Sequence, residues 1–116
     1  MAMMADNIFQ KIIDKQIPAK IVYEDDLCLA FHDIGPKAPV HVLVIPKKVI
    51  RTHADVTDAD AAVLGHIHMV AAKLAQQLEL HDGYRLVINS GEGAGQTVPH
   101  LHLHLLGGRA FGWPPG

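Results

Sequence analysis

Three histidines, His100, His102 and His104, alternate with Leu101, Leu103 and Leu105 in a chain of 116 residues that holds nine histidines. Near neutral pH an imidazole serves as a base, a nucleophile or a metal ligand. In a strand, alternate residues share one face and each residue rises about 3.3 Å. The spacing therefore predicts three imidazoles in a line at a surface or cleft, with three leucines turned to the core. Thr, Lys or Glu would make an ordinary polar face, and adjacent imidazoles repel one another when charged, so the run points to chemistry. Two chemistries fit these residue types. One is a zinc site, with two strand histidines spaced by one residue and a third ligand, His41, from another strand. The other is nucleophilic or acid–base work by a neutral imidazole.

The segment leading into this run, Asn89-Ser90-Gly91-Glu92-Gly93-Ala94-Gly95-Gln96-Thr97, favours the second. Its three glycines let the backbone turn N–H groups toward an anion, and Asn89 and Thr97 add side-chain donors. It is not a Walker loop, because no Gly-Lys-Ser/Thr follows and the next element reads as a strand rather than a helix. A phosphoryl centre held by backbone amides and faced by a neutral imidazole is a workable displacement site.

Five strands and two helices must position these groups. Ile8, Phe9, Ile12 and Ile13 recur at helical spacing and predict a short amphipathic helix over residues 7–15, capped by Asp6 or Asn7 and ended before Pro18. Residues 21–23 predict a strand, Glu24-Asp25-Asp26 a turn, and residues 27–33 a second strand. On that strand Cys28, Ala30 and His32 share one face, and Leu27, Leu29, Phe31 and Asp33 the other. After a loop at residues 35–39, residues 40–45 predict a third strand stopped by Pro46. The longest helix is expected from Thr57 or Asp58 to Leu80, burying Ala61, Leu64, Ile67, Ala71, Leu74, Ala75 and Leu78. His81-Asp82-Gly83 should end it, with Gly83 the left-handed terminator. Residues 84–89 and 99–106 predict the fourth and fifth strands, the last ended by Gly107-Gly108. Short, hairpin-linked strands with helices packed against them give the class α+β, with a five-stranded antiparallel sheet, one long helix and one short.

Apolar residues make up 49% of the chain and charged residues 19%, as in a folded globular protein. The length fits one domain, 1–116, with residues 1–6 expected to be a flexible N-terminus and residues 107–116 a C-terminal tail. The net charge is −2, and Lys47-Lys48 is only a short basic patch, which argues against a general nucleic-acid surface. A single cysteine, Cys28, excludes an internal disulfide and fits a reducing compartment. The first six residues lack the basic and apolar regions of a secretory signal. No apolar run is long enough to span a membrane. A cytoplasmic protein is the expectation.

The run His100-Leu101-His102-Leu103-His104-Leu105-Leu106 resembles the signature of the histidine triad superfamily, His-φ-His-φ-His-φ-φ with φ apolar. The chain is similar over nearly its whole length to one branch of it, the nucleoside phosphoramidases known as histidine triad nucleotide-binding proteins. The likeness includes Ile8-Phe9-Gln10-Lys11-Ile12-Ile13, Ile17-Pro18-Ala19-Lys20, Glu24-Asp25-Asp26 and Leu29-Ala30-Phe31-His32-Asp33-Ile34. It continues through Ala38-Pro39-Val40-His41, Val44-Ile45-Pro46-Lys47-Lys48, Gly95-Gln96-Thr97 and Trp113-Pro114-Pro115-Gly116.

The resemblance implies hydrolysis of purine nucleoside phosphoramidates to the monophosphate, such as AMP, with no metal and no cofactor. His102 is then the nucleophile and becomes transiently nucleotidylated. Asp33 and Ile34 match the segment that holds ribose and base, and Phe31, His32, Ile8, Phe9, Ile12 and Ile17 would wall the base pocket. Asn89, Gly95, Gln96, Thr97 and His104 match the phosphate contacts, with Thr97 where relatives commonly carry serine, and the His104 and Thr97 region is the candidate donor or orienting set for the proton that the departing amine needs. His41 would belong to a hydrogen-bonded chain that sets the tautomer of His102, and His100 would support the nucleophile's other nitrogen through its backbone carbonyl. The family further implies a homodimer whose sheets join, with Trp113 in the tail reaching the partner's site. His53, His66, His68 and His81 match nothing functional and read as surface residues. Other readings are cleavage of dinucleoside polyphosphates, a nucleotide-binding or scaffolding role, and a metal enzyme. The branch that transfers nucleotidyl groups to sugar phosphates uses a His-Pro-His core, where this chain has His100-Leu101-His102.

Overall fold

The chain forms α1 (Ile8–Ile13), β1 (Ile21–Glu24), β2 (Cys28–His32), β3 (Val40–Pro46), α2 (Ala61–Gln77), β4 (Tyr84–Val87) and β5 (Leu103–Gly107). Short 3-10 turns lie at His53–Asp55, Asp58–Asp60 and Glu92–Ala94. This computed structural model describes residues 3–116. All five strands join one antiparallel sheet in the order β1-β2-β3-β5-β4, so the class is α+β. β5 is held on both sides, by β3 and by β4, which fixes His104 on a paired strand.

Both faces of the sheet centre are covered. On one side Cys28, Ala30, Val42, Val44, Leu101, Leu103 and Leu105 pack with Ile67, Val70, Ala71, Leu74 and Ala75 of α2. On the other, Leu29, Phe31, Leu43 and Ile45 pack with Phe9 and Ile12 of α1 and with Val98. β2 and β3 are therefore sandwiched, which is why they read as nearly continuous apolar runs.

The helices differ from expectation at their edges. Asn7 Oδ1 accepts from Gln10 N at 3.0 Å and caps α1. Lys15 adopts φ 61°, and Gln16 N donates to Lys11 O at 2.8 Å, which closes the helix early. In α2 the buried arc runs through Ile67, Val70, Ala71, Leu74 and Ala75. Ala61 is exposed, and Leu64 and Leu78 are half-buried against the rim of the core. The terminator of α2 is Glu79, at φ 60°, and not Gly83. Leu80 N then donates to Ala75 O at 2.9 Å, which turns the Leu80 side chain back into the core. This apolar contact just past the helix end explains why the reversal occurs at a non-glycine residue.

The fifth strand also begins later than its alternation predicts. Its ladder opens at Leu103, and Val98 to His102 arrive by a different path. His100 N donates to Val98 O at 2.8 Å and Leu101 N to Ile50 O at 2.6 Å. Pro99 has no N–H to give a ladder. Leu101, Leu103 and Leu105 still share the α2 side. Downstream, Gly107 sits against Leu80, where an added Cβ would fall 2.6 Å from the Leu80 methyls. Near the start of the chain, Met4 N donates to Thr97 O at 2.6 Å and Met3 N to Glu92 Oε1 at 3.0 Å. The expectation for residues 1 and 2 lies outside the described residues. Among those described, no helix is long and apolar enough to cross a membrane.

Candidate active site

The histidines meet on the α1 side of the sheet, and their partners assign every ring proton. His102 is buried, and its Nδ1 lies 2.7 Å from the His100 carbonyl. A carbonyl only accepts, so Nδ1 carries the hydrogen and Nε2 keeps its electron pair. Phe9 packs edge-on against this ring, centroids 5.0 Å apart. Burial holds the His102 pKa below its usual value, so the ring is neutral at pH 7.

His100 does not share a surface line with the other two. It is fully enclosed beneath α1, its Nε2 donating to Pro46 O at 2.7 Å and its Nδ1 accepting from Asn7 Nδ2 at 2.9 Å. Asn7 thus caps α1 with its oxygen and anchors His100 with its nitrogen. Burial lowers the His100 pKa as well.

A second chain starts from the backbone. Lys37 N donates to His41 Nδ1 at 3.0 Å, and His41 Nε2 lies 2.9 Å from His104 Nδ1. Because His41 Nδ1 accepts, its Nε2 is the donor, so His104 Nδ1 accepts and His104 Nε2 bears the hydrogen. His41 therefore sets the tautomer of His104 and not, as the resemblance implied, that of His102, whose partner is the His100 carbonyl. His104 Nε2 is buried and has no partner among the described residues. Burial, reinforced by His102 and His41, pushes the His104 pKa down to about 4. The His102 and His104 rings lie 4.9 Å apart, setting an available electron pair beside an unengaged N–H donor.

Asp33 stands at the edge of this group. Its Oδ1 accepts from Gly35 N at 2.7 Å, and its Oδ2 lies 3.6 Å from His41 Nε2. Ile34 beside it is fully exposed and His32 half-buried. Phe31 and Ile12 are buried with Phe9, so they act as the floor beneath the site. Trp113 is 85% exposed.

The glycine loop is ordered from within. The Gln96 side chain is fully buried: Oε1 accepts from Gly91 N at 2.8 Å, and Nε2 donates to Arg51 O at 2.8 Å and Val98 O at 3.0 Å. The amides of Ala94, Gly95 and Gln96 also bond inside the loop. The loop N–H groups expected to face an anion are thus engaged at these three positions. Asn89 and Thr97 are half-buried. A cleft of about 280 Å³ opens beside Asn89, His41 and His104, whereas a larger one of about 610 Å³, around residues 79–85 and 108–111, contains none of the triad.

Among the described residues, two groups have the donors for a cation. In Asp33, His41 and His104 the ligand atoms lie within 4.8 Å of one another. The two facing imidazole nitrogens already share a hydrogen bond at 2.9 Å, which an ion between them would have to break. The other group, Asp25, Cys28 and His66, lies on the α2 side. There burial pushes the Cys28 thiol up to about 12, and Asp25 accepts from Tyr23, His66 and the Leu27 and Cys28 amides. His66 is therefore a structural partner of Asp25 at 2.6 Å rather than a free surface residue. His53, His68 and His81 are exposed.

Sequence reasoning missed the Lys37 amide, the Pro46 carbonyl and the second role of Asn7. Only the capping signal at Asn7 was visible in the chain, since backbone partners carry no side-chain signature.

Residues 14–111 match the HIT domain. An uncharacterised HIT-like protein of Synechocystis sp. is 59% identical over 98% of this chain and 100% of its own. A HIT family hydrolase from Legionella pneumophila superposes with a TM-score of 0.93 at 54% identity, over 96% of this chain and 100% of the other. A histidine triad nucleotide-binding protein from Candida albicans does so with a TM-score of 0.80 at 34% identity, over 94% and 83%. With the signature, the sheet order and these relatives in agreement, the chain belongs to the HIT family.

Proposed function

We propose that this protein hydrolyses purine nucleoside phosphoramidates, such as adenosine 5′-phosphoramidate, to AMP through a covalent nucleotidyl-His102 intermediate. The observation that carries the reading is the pairing of a free His102 Nε2 electron pair with the unengaged His104 Nε2–H beside it. In the first step His102 Nε2 forms a bond to phosphorus, the P–N bond breaks, and the departing amine takes a proton from water. The His104 N–H donates to a phosphoryl oxygen as charge builds there. In the second step water attacks phosphorus and the P–His102 bond breaks; the proton that the attacking water loses neutralises the hydroxide left by the first step, and AMP leaves with His102 restored. The Asp33 carboxylate accepts from the ribose hydroxyls, His32 and Ile34 flank the base above the Phe31 and Ile12 floor, and Asn89 and Thr97 donate to the phosphate. No metal or cofactor is required by these steps.

The reading includes a homodimer. β4 lies at the sheet edge with Tyr84 and Leu86 exposed, and Trp113 is free to serve a second subunit's site. Turnover of adenosine 5′-phosphoramidate by wild type and by His102→Ala, with a chelator present, tests the chemistry. AMP release by wild type alone supports it, and equal release by a clean variant would overturn the role of His102. Sedimentation as a monomer at micromolar concentration would remove the dimer.

A further inference from the structure

The turn that follows β2 wraps around His41. Asp33 N donates to the His41 carbonyl at 2.9 Å, and Lys37 N donates to Nδ1 of the His41 ring at 3.0 Å. The Asp33 side chain closes the same turn, its Oδ1 accepting from Gly35 N at 2.7 Å. With Oδ1 so held, Oδ2 lies 3.6 Å from His41 Nε2. The His41 side chain is 4% exposed and the Asp33 side chain 22%. Asp33 is thus fixed against a buried ring and keeps part of its carboxylate open to a ligand.

Because His41 Nδ1 accepts, the neutral ring has one hydrogen to give, on Nε2. Two acceptors compete for it. His104 Nδ1, at 2.9 Å, receives the hydrogen bond. Asp33 Oδ2, at 3.6 Å, is too far for a full hydrogen bond, but it carries negative charge and attracts the same hydrogen. Burial lowers the pKa of His41 and of His104, and the Asp33 carboxylate opposes that lowering at both rings. A ligand that takes up the charge of Asp33 leaves the His41 hydrogen to His104 alone. His104 Nδ1 then accepts without competition, and the hydrogen of His104 stays on Nε2.

We infer that Asp33 is a positioning residue as well as a sugar ligand: ribose hydroxyls that donate to its carboxylate free the His41 hydrogen for His104, and so fix the tautomer of the group that donates to the phosphoryl oxygen. The inference rests on the phosphoramidase reading above. Sugar recognition is then expressed in the chemical step, since a contact remote from the reacting bond strengthens one made in the transition state. A carboxylate that only anchored the sugar would hold substrate and transition state alike and would leave kcat unchanged.

The test compares adenosine 5′-phosphoramidate with its 2′,3′-dideoxy counterpart. Loss of the hydroxyls should lower kcat about fivefold or more, besides raising KM. In Asp33→Asn, which keeps an acceptor for Gly35 N but loses the charge, the kcat ratio of the two substrates should fall toward one. A change confined to KM in wild type would overturn the inference. A misplaced phosphate would also slow the dideoxy substrate, so a second readout follows the rings without turnover. The ¹⁵N resonances of His41 and His104 are recorded by NMR as adenosine or 2′,3′-dideoxyadenosine is added to saturation. Adenosine should move the His104 shifts further toward the pure Nε2–H tautomer, and dideoxyadenosine should not. Ligand-free Asp33→Asn should already show the shifts that adenosine produces in wild type. Equal His104 shifts from both nucleosides, or none from adenosine, would overturn the inference. If adenosine moves His104 in this way but neither phosphoramidate is hydrolysed, the coupling stands and the hydrolase reading fails.

Discussion

His41 Nε2 lies 2.9 Å from His104 Nδ1, and this bond decides which nitrogen of His104 carries its proton. Without it the His104 ring could place its electron pair, rather than its N–H, toward a phosphoryl oxygen. His41→Ala should therefore lower kcat by on the order of tenfold or more, less than the hundredfold or so expected when an oxyanion donor is removed altogether. KM should change less than kcat. The ¹⁵N shifts of the His104 ring should report a mixture of tautomers in the variant. A single, unchanged tautomer would assign His41 a packing role only.

Activity and stability should respond to acid in different ranges. The pKa values of His41, His100, His102 and His104 are all lowered, chiefly by burial, and that of His104 to about 4. In the unfolded chain each would titrate near 6.5. Below that value the unfolded state binds protons that the folded state refuses, so stability is full above about pH 6.5 and falls as pH drops toward the folded values. Each group contributes at most about 1.4 kcal/mol per pH unit within that window. Urea unfolding should give a clearly lower free energy at pH 5 than at pH 7.5. The chemical step should hold its rate lower in the pH range, since His102 loses its attacking electron pair only when protonated in the folded state. An activity midpoint near 6.5 in protein that remains folded would contradict this.

Asn7 couples the helix cap to the triad. Asn7→Ala removes the cap on α1 and the donor to His100 Nδ1 together, and should destabilise the protein by about 1–2 kcal/mol for the cap alone. Asn7→Asp keeps a capping oxygen but replaces the donor to His100 Nδ1 with an acceptor. That change should raise the His100 pKa, visible by NMR titration, while the α1 cap survives. An unchanged His100 titration in Asn7→Asp would show that the contact at 2.9 Å does not govern this ring.

Gly107 marks a close approach rather than a hinge. An added Cβ would meet the Leu80 methyls at 2.6 Å, and Leu80 is held in the core by the reversal at Glu79. Gly107→Ala should therefore cost about 1–3 kcal/mol through overpacking. Pairing it with Leu80→Ala should recover part of that loss, since the clash is removed. Strictly additive losses in the double variant would mean that the two sites do not touch in the way the packing indicates.

Much of the fold is legible in the chain because it rests on local periodicity. The alternation from His100 to Leu105 decides that the leucines face α2, and the i, i+3, i+4 spacing of Ile67, Val70, Ala71 and Leu74 decides which side of α2 they meet. The number and direction of strands follow from short apolar runs broken by turns. The residue types at positions 100, 102, 104 and 41 likewise announce imidazole chemistry. What tertiary structure decides is which atom of each imidazole is available, because that depends on partners remote in sequence. Pro46 O lies 54 residues from His100, and His41 63 residues from His104. The same is true of Gln96, whose amide closes the glycine loop on Arg51 O. Side-chain type and local pattern are properties of the chain itself. Protonation, burial and the direction of charge come from contacts that exist only once the strands have paired.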